Sequence, residues 1–140
     1  MLTQIDHVGL AVVDLDKAIS LYADAFQAEV CARERNESQG LEIVFLRIGG
    51  SAVELLATTS PDSIIGKFLA KRGQALHHVA FRVENLRECM RSCALHGLRL
   101  IDEEPRQGSG GSSIAFVHPD SAMGVLIELV ERSDGQDGAA

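Results

Sequence analysis

The feature that most constrains this chain is that it matches itself at an offset of 71 positions. At that offset His7-Val8-Gly9-Leu10-Ala11-Val12 lies on His78-Val79-Ala80-Phe81-Arg82-Val83, and Asp14-Leu15 lies on Asn85-Leu86. A chain of 140 residues that is 46% hydrophobic is long enough for one core and short for two independent ones. The duplication therefore predicts two similar halves sharing a single core.

Each copy opens with a β-type run, residues 5–12 or 77–83, followed by Asp14 or Asn85 at the position of a helix N-cap, whose side-chain oxygen takes a free amide hydrogen. Apolar residues then recur at helical spacing, Leu15, Ile19, Tyr22 and Phe26 in the first copy and Leu86, Cys89, Met90 and Cys93 in the second. Three more strand-like runs follow in each, residues 28–33, 42–48 and 52–57, then 98–102, 112–117 and 124–130, divided by turn signals such as Gly49-Gly50 and His118-Pro119-Asp120. The repeat unit is βαβββ. Ser60-Pro61 reads as the N-cap and first residue of a linking helix over about residues 61–73. The expected organisation is one domain over residues 1–131, with modules at about 4–58 and 75–131, and a disordered tail over 132–140, which has no large apolar residue to anchor it.

The last strand of each half carries an acid among apolar residues, Val53-Glu54-Leu55-Leu56 and Ile127-Glu128-Leu129-Val130. Burying such a carboxylate is costly unless something cationic meets it. His7 precedes Glu54 by 47 residues and His78 precedes Glu128 by 50, so each half offers one histidine on its first strand and one glutamate on its last. Halves related by a pseudo-twofold axis would bring two imidazoles and two carboxylates to one centre. A lone strand histidine is commonly structural, and the recurrence is what lifts these four above that reading. His77 competes with His78, but only His78 aligns with His7, and strict strand alternation points neighbours to opposite faces. Metal binding is thus expected to depend on His78 and not on His77. His96 and His118 have no repeat partner and read as surface or turn residues.

Composition narrows the partners. A formal charge of −7 without a Lys/Arg cluster argues against nucleic acid or an anionic membrane surface. A phosphorylated small ligand needs only local cations, for which Lys67, Lys71, Arg72 and Arg106 are available. No apolar stretch approaches the roughly 20 residues that cross a bilayer, and no basic segment followed by an apolar run opens the chain. A cytoplasmic protein is expected. Cys31, Cys89 and Cys93 read as small buried residues of a reducing compartment.

Taken together these segments resemble the vicinal-oxygen-chelate superfamily, and within it the methylmalonyl-CoA epimerases. The resemblance rests on Ile5-Asp6-His7-Val8-Gly9, on Leu76-His77-His78-Val79-Ala80-Phe81, on Gly124-Val125-Leu126-Ile127-Glu128-Leu129, and above all on Leu100-Ile101-Asp102-Glu103-Glu104-Pro105-Arg106. It implies an α+β fold in which two βαβββ modules form a cupped mixed sheet around one metal site. It also implies one divalent ion held by His7, Glu54, His78 and Glu128, with Co2+ favoured and Mn2+, Ni2+ or Zn2+ possible. The implied reaction is interconversion of (2R)- and (2S)-methylmalonyl-CoA through an enolate, with Glu128 and Glu54 as catalytic carboxylates, a small acyl-CoA as substrate and a homodimer as the assembly. Alternatives are a glyoxalase I-type lactoylglutathione lyase and a metal-free binding protein of the same fold. Two departures bear on the roles. Glu54 stands where some epimerases have Gln, as in glyoxalases, and Ile43 stands where one bacterial branch has a further acid.

Overall fold

Asp14 and Asn85 start the helices of the two repeats as their positions predict: Asp14 accepts from the Lys17 amide and Asn85 from the Glu88 amide. The computed structural model describes residues 1–133. Their elements run β1 (Leu2–Ala11), α1 (Leu15–Ser20), β2 (Glu29–Asn36), β3 (Leu41–Ile48), β4 (Ser51–Thr58), α2 (Ile64–Arg72), β5 (Ala75–Val83), α3 (Leu86–Leu95), β6 (Arg106–Gln107), β7 (Ser113–Val117) and β8 (Ile127–Glu131). The eight strands form one mixed sheet in the order β2-β3-β4-β1-β5-β8-β7-β6. Within each half the first strand pairs parallel with the last, β1 with β4 and β5 with β8, and the halves join through the antiparallel pair β1 and β5. The sheet curls so far that Glu34, on one edge strand, accepts from the Gly110 amide beside the opposite edge at 3.3 Å.

Alternation along the strands sorts the side chains onto two faces. On one, Val44, Leu46, Val53 and Leu55 pack under α1 through Leu15 and Ile19, while Val117, Leu129 and Val83 pack under α3 through Leu86 and Met90. On the other, Ile43, Phe45 and Leu56 meet Ile65, Phe68 and Leu69 of α2, and Ala80, Ile114 and Val130 form the matching patch of the second half. This concave face also carries the four singled-out residues.

Four local expectations are corrected. Residues 98–102 do not form a strand: Leu100 makes a single bridge to Val117, and the second half's edge strand is the short β6. The Asp102 carboxylate there accepts from the Phe116 amide at 2.7 Å and from Arg106 at 3.1 Å, taking up a ladder donor. The linking helix begins at Ile64 with Ser63, not Ser60, as its cap. Ser60 and Pro61 instead form a turn against it, and their carbonyl oxygens lie 2.6 and 2.7 Å from where a Cβ on residue 66 would sit, so only glycine fits there. Phe26 leaves the apolar face: α1 widens into a π turn over Leu21–Ala25, and Phe26 ends 66% exposed against the edge of Tyr22. Finally, Arg132 does not belong to a loose tail, because its side chain is buried and paired with Asp6. The rest of that expected tail, residues 134–140, lies outside the described residues.

Leu55 is fully buried in the layer beneath α1. Leu55→Ala is expected to lower the unfolding free energy by about 2–5 kcal/mol, the usual cost of a cavity at such a site. Chemical denaturation measures it.

Candidate metal centre

The seam between β1 and β5 positions both histidines. In its register His7 lies opposite Ala80 and His78 opposite Gly9, so each histidine faces the small residue two positions after the other. The approach is close: a Cβ on residue 9 would fall 2.2 Å from Cε1 of His78. Phe45 and Phe116 hold the rings from the flanks, edge-on to His7 and His78 with centroids 5.8 and 5.9 Å apart. Glu54 and Glu128 arrive from β4 and β8, the strands parallel to β1 and β5.

The four side chains meet. His7 Nε2 lies 2.7 Å from Glu54 Oε2 and 3.0 Å from Glu128 Oε2; His78 Nε2 lies 3.5 and 3.0 Å from the same oxygens; the two Nε2 atoms are 3.2 Å apart. All four residues are buried, and one donor atom from each lies within 4.8 Å of the others. Four lone-pair donors converging on one buried point, two of them carboxylates, fit a divalent cation, since the same groups without one are held together only by protons. The set could hold a metal ion.

Those protons shape the titration. Burial disfavours charge on His7, yet Asp6, Glu128 and Glu54 outweigh it and push the pKa up to about 12. His78 is likewise raised, against burial, to about 9 by Glu128 and Glu54. Burial pushes Glu54 and Glu128 up, but the hydrogen bonds and charges of His7 and His78 hold both below the usual carboxylate range. His77 falls to about 4, first from burial and then from the charge on His78.

Residues outside the expected four complete the arrangement. Asp6 is 3% exposed and joins His7 Nδ1 at 2.8 Å while accepting from both Arg82 and Arg132. His77 Nδ1 lies 2.9 Å from His78 Nδ1, so His77 is not apart from the site as strand alternation suggested. The sequence did carry a sign of the first contact, an acid directly before His7, but nothing local marked Arg132 as its partner. His96 and His118 stay away, bonded to the Ser92 carbonyl and the Asp120 amide. Beyond the centre, Arg106 stacks on Phe116 at 5.0 Å and Arg72 on Phe68 at 5.8 Å, and Phe68 meets His77 edge-on.

The family model of the glyoxalase/bleomycin resistance protein/dioxygenase superfamily matches residues 6–116. The chain belongs to that superfamily. Among other members, it is 36% identical to the uncharacterized protein YqjC of Bacillus subtilis, over 96% of each chain. It is 34% identical to the mitochondrial methylmalonyl-CoA epimerase of Bos taurus, over 91% of this chain and 74% of that one. The solved structure of Streptomyces coelicolor methylmalonyl-CoA epimerase in complex with 2-nitronate-propionyl-CoA superposes with a TM-score of 0.91 at 40% identity, covering 95% of this chain and 99% of the other. As in the superfamily fold, the two halves here share one curled sheet, and among the described residues no helix is long and apolar enough to cross a membrane.

Without a cation, the raised histidines favour folding fully below pH 6.5, and the share from His78 fades as pH climbs through about 9. The lowered glutamates favour it fully above pH 4.5 and lose their share as pH falls. Chelator-treated protein is therefore expected to melt at its highest temperature between pH 4.5 and 6.5 as far as these groups decide it. Because a metal must displace the histidine protons, its affinity should rise with pH, with about two protons released per ion at neutral pH and about one, from His7, between about 9 and about 12. Melting curves across pH and calorimetry in buffers of different ionisation enthalpy read the two effects.

Proposed function

We propose that this chain is a metal-dependent isomerase of acyl-CoA thioesters, interconverting (2R)- and (2S)-methylmalonyl-CoA. One observation carries the reading: a near full-length likeness to methylmalonyl-CoA epimerases in a chain that brings His7, Glu54, His78 and Glu128 to one buried point. Under this reading those four residues hold one divalent ion, with Co2+ favoured over Mn2+, Ni2+ or Zn2+. Two histidines and two carboxylates are a donor set that would suit any of these divalent ions. When bound, the ion supplies positive charge against which an enolate is stabilised more than its parent thioester.

The protein's own part is proton transfer. Epimerisation requires that the C2 proton leave to a base on one face while another acid delivers a proton on the opposite face. Glu54 and Glu128 come from opposite halves of the pseudo-symmetric sheet and both reach the two Nε2 atoms, which supports assigning one to each role. One carboxylate oxygen accepts the C2 proton, the electron pair passes into the enolate, and the other carboxylate, which must first take up a proton because the site holds both glutamates below the usual carboxylate range, returns it to C2. A carboxylate that holds a cation is a weak base, so the acceptor must loosen before it acts. Glu128 is the firmer assignment, because some epimerases have Gln where this chain has Glu54. Ile43 offers no further acid, being buried against α2. Arg106 and Arg72 are the cations this reading assigns to the carboxylate or phosphates of an acyl-CoA: Arg106 rests on Phe116, which touches His78, and Arg72 on Phe68, which touches His77. The expected homodimer is part of the same reading.

Glu54 also favours a second reading, the glyoxalase I arrangement with two glutamates, whose substrate is a glutathione hemithioacetal. Both substrates are therefore assayed. Turnover of (2R)- and (2S)-methylmalonyl-CoA with no action on the hemithioacetal is expected; the reverse result removes the epimerase assignment. In deuterium oxide the inverted product should carry solvent deuterium while the starting epimer, sampled early, stays mostly unlabelled. Glu128→Gln and Glu54→Gln should each slow the reaction by roughly 10²–10⁴, with metal content measured in each variant. If Glu54→Gln keeps its metal and near-normal turnover, Glu54 is only a ligand.

A further inference from the structure

Adjacent residues on a strand point to opposite faces, yet Asp6 and His7 are bonded to each other, and so are His77 and His78. The β1–β5 register explains both. Ile5 pairs with Phe81 and His7 with Ala80, so Asp6 is an extra residue on β1; Gly9 pairs with His78 and Leu10 with Leu76, so His77 is an extra residue on β5. Each is the additional residue of a β-bulge, a device that re-aims side chains beside functional sites. The two bulges sit at equivalent repeat positions, 71 residues apart.

We propose that Asp6 and His77 are a pair of positioning residues, each set by its bulge to receive the Nδ1 proton of the histidine that follows it and so to present both Nε2 lone pairs to the metal. The proposal rests on the metal reading above. The chemistry of the partners supports it. A carboxylate accepts only, so His7 must place its proton on Nδ1 toward Asp6 Oδ2 at 2.8 Å. Arg82 and Arg132 fix Asp6 in place: Arg82 Nη2 and Arg132 Nε donate to Oδ1 at 2.8 and 2.9 Å, and Arg132 Nη2 donates to Oδ2 at 2.8 Å. For His78 to offer Nε2 it must carry its proton on Nδ1, and the atom facing it at 2.9 Å is His77 Nδ1. His77 then accepts there and keeps its own proton on Nε2. Its ring is oriented by Phe68, edge-on at 4.9 Å. Partners of this kind fix the tautomer and ring angle of a metal-bound histidine, and losing one commonly costs 10–100-fold in affinity.

Strand alternation alone set His77 apart from His78; the 2.9 Å contact between their Nδ1 atoms brings it beside the centre. The test is Co2+ affinity by chelator competition, with the proton spectrum of the Co2+ protein recorded beside it, where the Nδ1 protons of bound histidines appear as shifted, exchangeable signals. His77→Leu is expected to bind Co2+ about 10–100-fold more weakly and to lose one of two such signals to solvent exchange. His77→Asn, whose side-chain oxygen replaces the acceptor, should recover both. Asp6→Asn should weaken binding by a similar factor and disturb the other signal, with its melting temperature measured to establish that the fold persists. Should Asp6→Asn fail to fold, the His77 pair alone decides. If His77→Leu binds Co2+ as the wild type does, or His77→Asn is no better than His77→Leu, the positioning role is wrong. A wild-type protein that takes up no Co2+ removes the metal reading, and this proposal with it.

Discussion

The rest of the structure depends on a contact that ordinary packing would avoid: two carboxylates and two imidazole nitrogens pressed against one another in the buried interior. Glu54 and Glu128 are each 6% exposed, and each would pay a large desolvation cost if left without a cationic partner. Protons on His7 and His78 meet that need when no metal is present. A divalent ion would meet it more completely, because it interacts with all four donors at once and needs no proton between them. The apolar layers beneath α1 and α3 account for why the chain folds, whereas this polar cluster accounts for how the two halves are registered against each other.

That registration is a property of the seam. β1 and β5 are the first strands of their modules, and pairing them antiparallel puts the pseudo-twofold axis between His7 and His78. Parallel pairing of β1 with β4 and of β5 with β8 then brings each glutamate alongside the histidine of its own half. Glycine is required at position 9, where the His78 ring crosses the seam, and Ala80 occupies the matching repeat position opposite His7. The edge strands β2 and β6 lie far from the seam and differ most between the halves, β6 being reduced to two residues beside the Asp102 turn.

The two halves are alike in topology and unlike in what stands behind the histidines. Asp6 is locked by two arginines, one from β5 and one just past β8, and this knot ties β1 to the segment that follows β8. His77 is half-buried and leans on α2 through Phe68. Arg72 rests on Phe68 on the α2 side and Arg106 on Phe116 on the other, so the two flanks of the pseudo-symmetric centre present different surroundings.

The amino-acid sequence by itself determined the repeat, the two helices with their Asp14 and Asn85 caps, the alternating strands and the four residues at the centre. These are legible because helix caps are local and because strand alternation and duplication act through fixed spacing. Only the tertiary structure decided the rest. Ser63 replaces Ser60 as a cap because a turn packs on Gly66; Phe26 swings outward because α1 widens after Ser20; Arg132 is anchored because Asp6, 126 residues away, faces it. Most telling is His77. A period of two sends it away from His78, and one extra residue in a strand, visible only when its partner strand's register is known, brings it back. A bulge has no spacing signature of its own, since it arises from pairing between strands and not from either strand alone.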